Sequence, residues 1–313
     1  MLTHRAFFLR KELFKIDYSR IKIEEYAVAS GGKRVYRKHP DISKFAHIGV
    51  DVSKHNGHLD FEAMKRAGVE FVIIRAGYGR SVSQKDNLFE EHYERAKKAG
   101  LDIGAYWYSY AESLMDAEHE ADACMKVIAG KTFEYPIYFD LEENRQFKIG
   151  KIFCTNIVDA FCGALEKNGY FAGLYMSRYP LTDYISDDIQ KKYALWIAQY
   201  NDKCSYPGVY GMWQFSDIGR VKDVNDKPGD NTIDMDVSFV DYPSMIKGRG
   251  LNGFAIEKPK DPPAQVEVKP AEEKKYSYNI VIDSFDDKSI AQTELAKVKG
   301  YYPNARILTT YKK

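Results

Sequence analysis

The chain has 313 residues, room for one large domain of about 200 residues with smaller pieces at its ends. Its 44% apolar and 29% charged residues, with a formal net charge of +1, exclude a wholly disordered chain and give no electrostatic footprint for nucleic acid. The four cysteines, Cys124, Cys154, Cys162 and Cys204, are too few and too scattered for a disulfide framework or a zinc knuckle and read as buried thiols.

Residues 1–45 are basic and mixed, broken by Gly31-Gly32, and carry no legible motif; they read as an N-terminal extension of unknown role. The apolar run Ala6 to Leu9 is too short for a signal-peptide core, and no run elsewhere approaches a membrane span. A first strand is predicted over 48–52. Three later stretches share one pattern, a helix-like run, a glycine, then an apolar run: Ala67-Gly68 into Phe71 to Arg75, Ala99-Gly100 into Ile103 to Tyr106, and Asn168-Gly169 into Phe171 to Tyr175. In each, the glycine stands where a helix end needs a left-handed residue, and a buried strand follows. Helices are predicted over 86–99, 116–129 and 150–167, and further strands over 137–141, 193–198, 209–215 and 233–237. Strands alternating with helices in the first half predict parallel pairing there, and eight strands over about 200 residues predict a closed α/β barrel, irregular on the side of the last three strands, where little room is left for helices. Residues 248–275 are rich in Pro, Lys and Glu and read as a linker; residues 276–313 read strand-helix-strand, small for an independent domain.

Asp140 and Glu142 are two apart in an apolar run, so on a strand their side chains share a face, at the end where Tyr-Pro-Ile-Tyr-Phe gives way to polar residues. Two close carboxylates raise each other's proton affinity, and a protonated acid beside an ionised partner is what glycoside cleavage needs. From spacing alone the pair reads equally well as a solvated strand end. Asp51 ends another predicted strand, and Asp234 with Asp236 repeats the same-face spacing on a third. A barrel gathers such strand ends at one mouth, which favours an acidic cleft. The aromatics Tyr106, Tyr108, Tyr175, Trp196 and Trp213 lie near strand ends; most such rings are core, and those at the mouth could stack on sugars. His47, His55 and His58 near Asp51 suggest a metal, but no His-Glu-x-x-His or Cys pair accompanies them. Gly77-Tyr78-Gly79-Arg80 has an incomplete phosphate-loop pattern and reads as a turn at the mouth.

Eight ordered motifs carry a resemblance: Gly49-Val50-Asp51-Val52-Ser53, Phe71 to Ala76, Gly104 to Tyr108, Phe139-Asp140-Leu141-Glu142, Gly173-Leu174-Tyr175, Leu195 to Tyr200, Trp213-Gln214-Phe215 and Ile233 to Asp236. In this order they resemble glycoside hydrolase family 25, the muramidases of bacteria, fungi and phage endolysins, over about residues 46–243. The resemblance implies a modified TIM-like (β/α) barrel with five βα units and a helix-poor last third, over residues 46–247. It implies hydrolysis of the β-1,4 bond between N-acetylmuramic acid and N-acetylglucosamine in peptidoglycan. Glu142 then corresponds to the general acid and base, Asp140 to its partner, and Asp51 and Asp234 to the other cleft acids. Tyr106, Tyr108, Tyr175, Trp196, Gln199 and Trp213 become substrate-binding candidates. No cofactor, metal, nucleic acid or membrane insertion is expected, and the wall would be reached by host lysis or a non-classical route. The nucleophile is either Asp140 or the sugar's own acetamido group. Residues 276–313 resemble half of a small peptidoglycan-binding module. The alternatives are a glycan-binding barrel without turnover and a metal-dependent polysaccharide deacetylase or amidase.

Overall fold

Alternation along each strand decides the architecture: one row of side chains faces the barrel interior, the other the surrounding helices. The computed structural model describes residues 47–255 except 202, 220, 222, 223 and 225–231, the backbone of two earlier strands, and Gln292. Those two strands, β1 (Tyr26–Ser30) and β2 (Lys33–Arg37), pair antiparallel on either side of Gly31-Gly32, within the stretch where no element was predicted. The chain divides into two units at Lys258, and every named strand and helix belongs to the first. The predicted strand-helix-strand over 276–313 lies outside the described residues.

The barrel strands are β3 (His47–Val52), β4 (Phe71–Tyr78), β5 (Asp102–Tyr108), β6 (Ile137–Asp140), β7 (Ala172–Ser177), β8 (Ala194–Ala198), β9 (Met212–Gly219) and β10 (Ile233–Ser238). They close in sequence order, with β10 returning to β3. The helices are α1 (Phe61–Arg66), α2 (Phe89–Ala99), α3 (Leu114–Ile128), α4 (Asn144–Ile149), α5 (Lys151–Lys167), α6 (Arg178–Tyr184), α7 (Asp187–Lys192) and α8 (Tyr242–Gly248). Pairing is parallel from β3 through β9, but β10 runs antiparallel to both its neighbours. Parallel pairing therefore does not extend to the last strand. An antiparallel return needs no crossover connection, unlike the parallel steps before it.

Local signals explain the boundaries. Gly68, Gly100 and Gly169 adopt φ of 98°, 71° and 82°, the left-handed region the helix-to-strand pattern required. Asp60 caps α1 through the Ala63 N–H, and Ser113 caps α3 through the Asp116 N–H. Strand β9 starts at Met212, three residues later than predicted, and extends to Gly219.

Two apolar layers result. The outer one joins Val50, Val72, Ile74, Phe139 and Leu174 to the helices; Phe161 of α5 meets Phe139 with ring centroids 4.5 Å apart. The inner one fills the barrel floor with Phe71, Ile73, Tyr135, Tyr138, Phe171, Trp196 and Met212. Inward glycines make room for these rings: a Cβ on Gly49 would enter the Phe71 ring, and one on Gly173 the Tyr138 ring. The floor is thus closely packed, and the mouth at the C-terminal strand ends is where chemistry can be placed.

Below the barrel the chain stays ordered past Gly248, where a linker was predicted. Asn252 is fully buried at φ 52°, accepting the Phe171 N–H at 2.6 Å and donating to the carbonyls of Tyr135 and Phe133 at 2.8 and 3.2 Å. One amide satisfies backbone groups on the approaches to β6 and β7, and Leu251 and Phe254 pack on the floor beside it. All four cysteines are free, three of them buried. Among the described residues no helix is long and apolar enough to cross a membrane.

Candidate active site

Asp51 on β3, Asp140 at the end of β6 and Asp234 and Asp236 on β10 share the inward face, and Glu142 continues the β6 alternation two residues on. Pairing places Asp234 directly opposite Asp51, and the antiparallel return of β10 delivers this second acid beside the first. Asp140 is 3% exposed, Asp51 7% and Asp236 not at all. Glu142 opens to water at the rim while protein walls flank it.

Taking these carboxyls out of water disfavours their charged forms, and each charge opposes its neighbours. Burial, then the Asp236 charge, holds the Asp51 carboxyl well above the usual range. Burial, then Glu142 and Asp51, does the same to Asp140. Burial, then Glu143, raises Glu142, and burial, then Asp51, pushes Asp234 up to about 9. Asp236 lies beside Asp51, so the two carboxyls oppose each other's charge, and burial holds Asp236 well above the usual range as well. Asp236 also accepts the Trp196 indole N–H at 2.7 Å. Oδ1 of Asp140 is buried and has no hydrogen-bond partner among the described residues.

Among the described residues, Arg75 is a cation that answers this negative cluster. Arg75 faces inward on β4, and its charge draws Asp140 downward against the other effects. Its Nε donates to Asp86 at 2.7 Å, and Asp86 also accepts the N–H groups of Lys54 and Leu88.

The predicted aromatics divide. Trp196 forms the floor under the acids, its ring centroid 4.3 Å from Tyr175, 5.1 Å from Tyr138 and 6.2 Å from Tyr106. Tyr106 lies among the charges of Asp51, Asp140 and Asp234, which with burial keep its phenol protonated. Tyr108, at the rim, donates to Glu143 at 3.0 Å and leads through Tyr110 to Tyr78, an aromatic wall running out of the mouth. Trp213 is not at the mouth. It occupies the outward row of β9, 2% exposed in the outer layer with Phe215, and its indole donates to the Gln199 carbonyl at 2.8 Å. Gln199 itself spends its side chain on Ser205, donating at 3.0 Å and accepting at 2.7 Å, and so staples the loop between β8 and β9. The inward residue of the Trp213-Gln214-Phe215 motif is Gln214, which donates to Asp51 at 2.7 Å.

Sequence reading gave no role to Gln214, Arg75 or Tyr110, and noted Asp236 only for its spacing from Asp234. Position parity held a signal for Gln214 and Asp236: Gln214 and Ser216 form a polar row alternating with Trp213 and Phe215, and Asp236 shares a face with Asp234.

The histidines scatter. His47 begins β3, away from Asp51, with Nδ1 3.3 Å from Glu70, and His58 meets Glu91 at 2.8 Å. Among the described residues no group of three or more His, Cys, Asp or Glu side chains is placed to hold a metal ion. In the Gly77 to Arg80 turn, the Gly79 carbonyl accepts the Trp107 indole N–H and Arg80 is paired with Asp116 at 2.6 Å. Beside the mouth an open cleft of about 240 Å³ lies between Arg80, Tyr110 and Arg145.

The model of glycosyl hydrolases family 25 matches residues 50–224, more than half of the chain. The chain belongs to family 25 of the glycosyl hydrolases. This family 25 protein is 31% identical to an autolytic lysozyme of Clostridium acetobutylicum over 181 residues, 56% of its own length and 52% of the relative's. It thus spans about half the length of that relative. The CTP1L endolysin superposes with a TM-score of 0.56 at 25% identity, covering 65% of this family 25 chain and 70% of the endolysin. A family 25 glycosyl hydrolase from Bacillus anthracis shares the fold at a TM-score of 0.58 and 21% identity, covering 70% of this chain and 98% of that one.

Proposed function

We propose that this family 25 glycosyl hydrolase is an N-acetylmuramidase, cleaving the β-1,4 bond between N-acetylmuramic acid and N-acetylglucosamine in bacterial peptidoglycan. The observation that carries the reading is the pair Asp140 and Glu142 on one inward face at the end of β6, facing Asp51 and Asp234 across the mouth. Family membership and the lysozyme and endolysin names of its relatives support the same reaction. The β3-α1 to β7-α7 succession then serves as five βα units, residues 46–247 as the catalytic barrel, and the stretch from β8 to β10 as its helix-poor third.

In this reading Glu142 protonates the bridging oxygen as the bond to the sugar carbon breaks, and the leaving sugar departs with that proton. The Asp140 carboxylate, whose charged form Arg75 favours against burial and the neighbouring acids, faces the positive charge growing on the sugar ring. That carboxylate either bonds the ring carbon or steers the acetamido group that does so. Glu142, now ionised, takes a proton from water as the oxygen attacks, which restores the acid. Tyr108 and Tyr110 offer ring faces to the glycan at the rim.

Purified peptidoglycan incubated with wild type and Glu142→Gln tests this. New reducing ends on muramic acid from the wild type only are expected. Glycan pull-down without new reducing ends would favour a binding barrel instead, and turnover abolished by EDTA would favour a metal-dependent deacetylase or amidase.

A further inference from the structure

Gln214 stands inward on β9, 1% exposed, at the meeting point of two phenols and two acids. Its Oε1 accepts the hydroxyls of Tyr175 at 2.7 Å and Tyr200 at 3.1 Å. Its Nε2 donates to Oδ2 of Asp51 at 2.7 Å and to Oδ2 of Asp234 at 3.3 Å. The amide has one consistent orientation: burial keeps both phenols protonated, so they donate, and the atom they meet is the carbonyl oxygen. The NH2 group is then left facing two carboxyl oxygens. Asp236 lies beside Asp51 and is itself anchored by the Trp196 indole N–H at 2.7 Å. Each link comes from a different element: β7, the loop after β8, β9, β3 and β10. A residue serving only to fill space would not need two donors and two acceptors placed this way.

We infer that Gln214 is a positioning residue: it fixes the orientation and separation of the Asp51 and Asp234 carboxyls opposite Asp140 and Glu142. The inference rests on the muramidase reading of this site. Tyr200 extends the role to the loop stapled by Gln199, since its hydroxyl is one of the two that lock the amide. The ionisable groups around the hub are Asp51 on β3, Arg75 on β4, Asp140 and Glu142 at β6, and Asp234 and Asp236 on β10. Asp217 on β9 and the phenols of Tyr106, Tyr175 and Tyr200 complete the set.

The test uses the full chain and purified peptidoglycan, with kcat, KM and the pH profile measured for wild type, Gln214→Met, Tyr200→Phe and Glu142→Gln. Methionine keeps the length but neither donates nor accepts as an amide does. Gln214→Met is expected to lose about ten- to a hundredfold in kcat with little change in KM, as misoriented catalytic groups do. The acidic limb of its profile moves to higher pH, because Asp51 and Asp234 lose N–H donors that favour their charged forms. Tyr200→Phe moves the same way by less. Wild-type kcat, or a fall in kcat with an unmoved limb, overturns the inference. If Gln214→Met does not fold, Tyr200→Phe decides, and an unaltered profile there overturns it. An active Glu142→Gln would overturn the site reading and this inference with it. An inactive Glu142→Gln beside an unaltered Gln214→Met overturns the inference alone.

Discussion

Arg75→Met removes an inward cation that acts on Asp140, and the structure sets the scale of the damage. The Arg75 and Asp86 side chains are 11% and 1% exposed and meet at 2.7 Å, so the change leaves a buried carboxylate without its countercharge. Losing one partner of such a pair costs about 3–5 kcal/mol. Asp86 keeps the Lys54 and Leu88 N–H groups at 3.1 and 3.0 Å, which places the expected loss at the lower end, about 3 kcal/mol. For a domain of this size that lowers the melting temperature by roughly 6–12 °C. Activity shifts independently of stability. Without the guanidinium Asp140 becomes harder to ionise, so the acidic limb of the pH-rate profile moves to higher pH, while Arg75→Lys, which keeps the charge, moves it less. Calorimetry and initial rates across the pH range read both effects. Adding Asp86→Asn should recover part of the lost stability by removing the orphaned charge. An unmoved limb in a folded Arg75→Met protein, or strictly additive single and double variants, would refute the assignment.

Two further outcomes follow from the same structure. Glu120 is fully buried beneath the loop carrying Tyr110, whose N–H it accepts at 2.7 Å, and burial lifts its carboxyl to about 7. The folded protein therefore holds a proton that the unfolded chain releases near an ordinary glutamate value, so stability falls as pH rises toward 7 and levels off above it. The contribution is on the order of 3 kcal/mol, and Glu120→Gln should flatten the decline between pH 5 and 8 in urea titrations; parallel slopes would count against it. Trp213→Phe, in the outer layer, should lower stability by about 1–2 kcal/mol through loss of the indole bond to the Gln199 carbonyl and leave KM unchanged. A raised KM at full stability would return Trp213 to the substrate path.

The eight strands were legible because each apolar run is bounded by a left-handed glycine or a polar strand end, and both are local signals. The acids were legible for the same reason: i, i+2 spacing on a strand sets their common face without any long-range information. The direction of β10 was not, because it shows only in the pairing with β3 and β9, and barrel closure rather than local sequence brings β3 to it. The misplaced tryptophan has a different cause. Aromatic character drew attention to Trp213, but parity on a strand, set by where β9 begins, decides which side of the barrel a residue faces. The polar residue between two rings was the one aimed at the acids. Partners such as Trp196 with Asp236, forty positions apart, were invisible because only barrel closure brings them together. The early linker boundary failed because Asn252, polar in composition, is buried as a backbone clamp.

The central claim is that Glu142 drives cleavage on the muramic acid side of the glycan. Digesting reduced, defined peptidoglycan with wild type and with refolding-verified Glu142→Gln, then reading the new reducing termini by mass spectrometry, tests it most directly. Muropeptides ending in reducing N-acetylmuramic acid from the wild type alone are the expected result. Termini on N-acetylglucosamine, or equal release by Glu142→Gln, would contradict it.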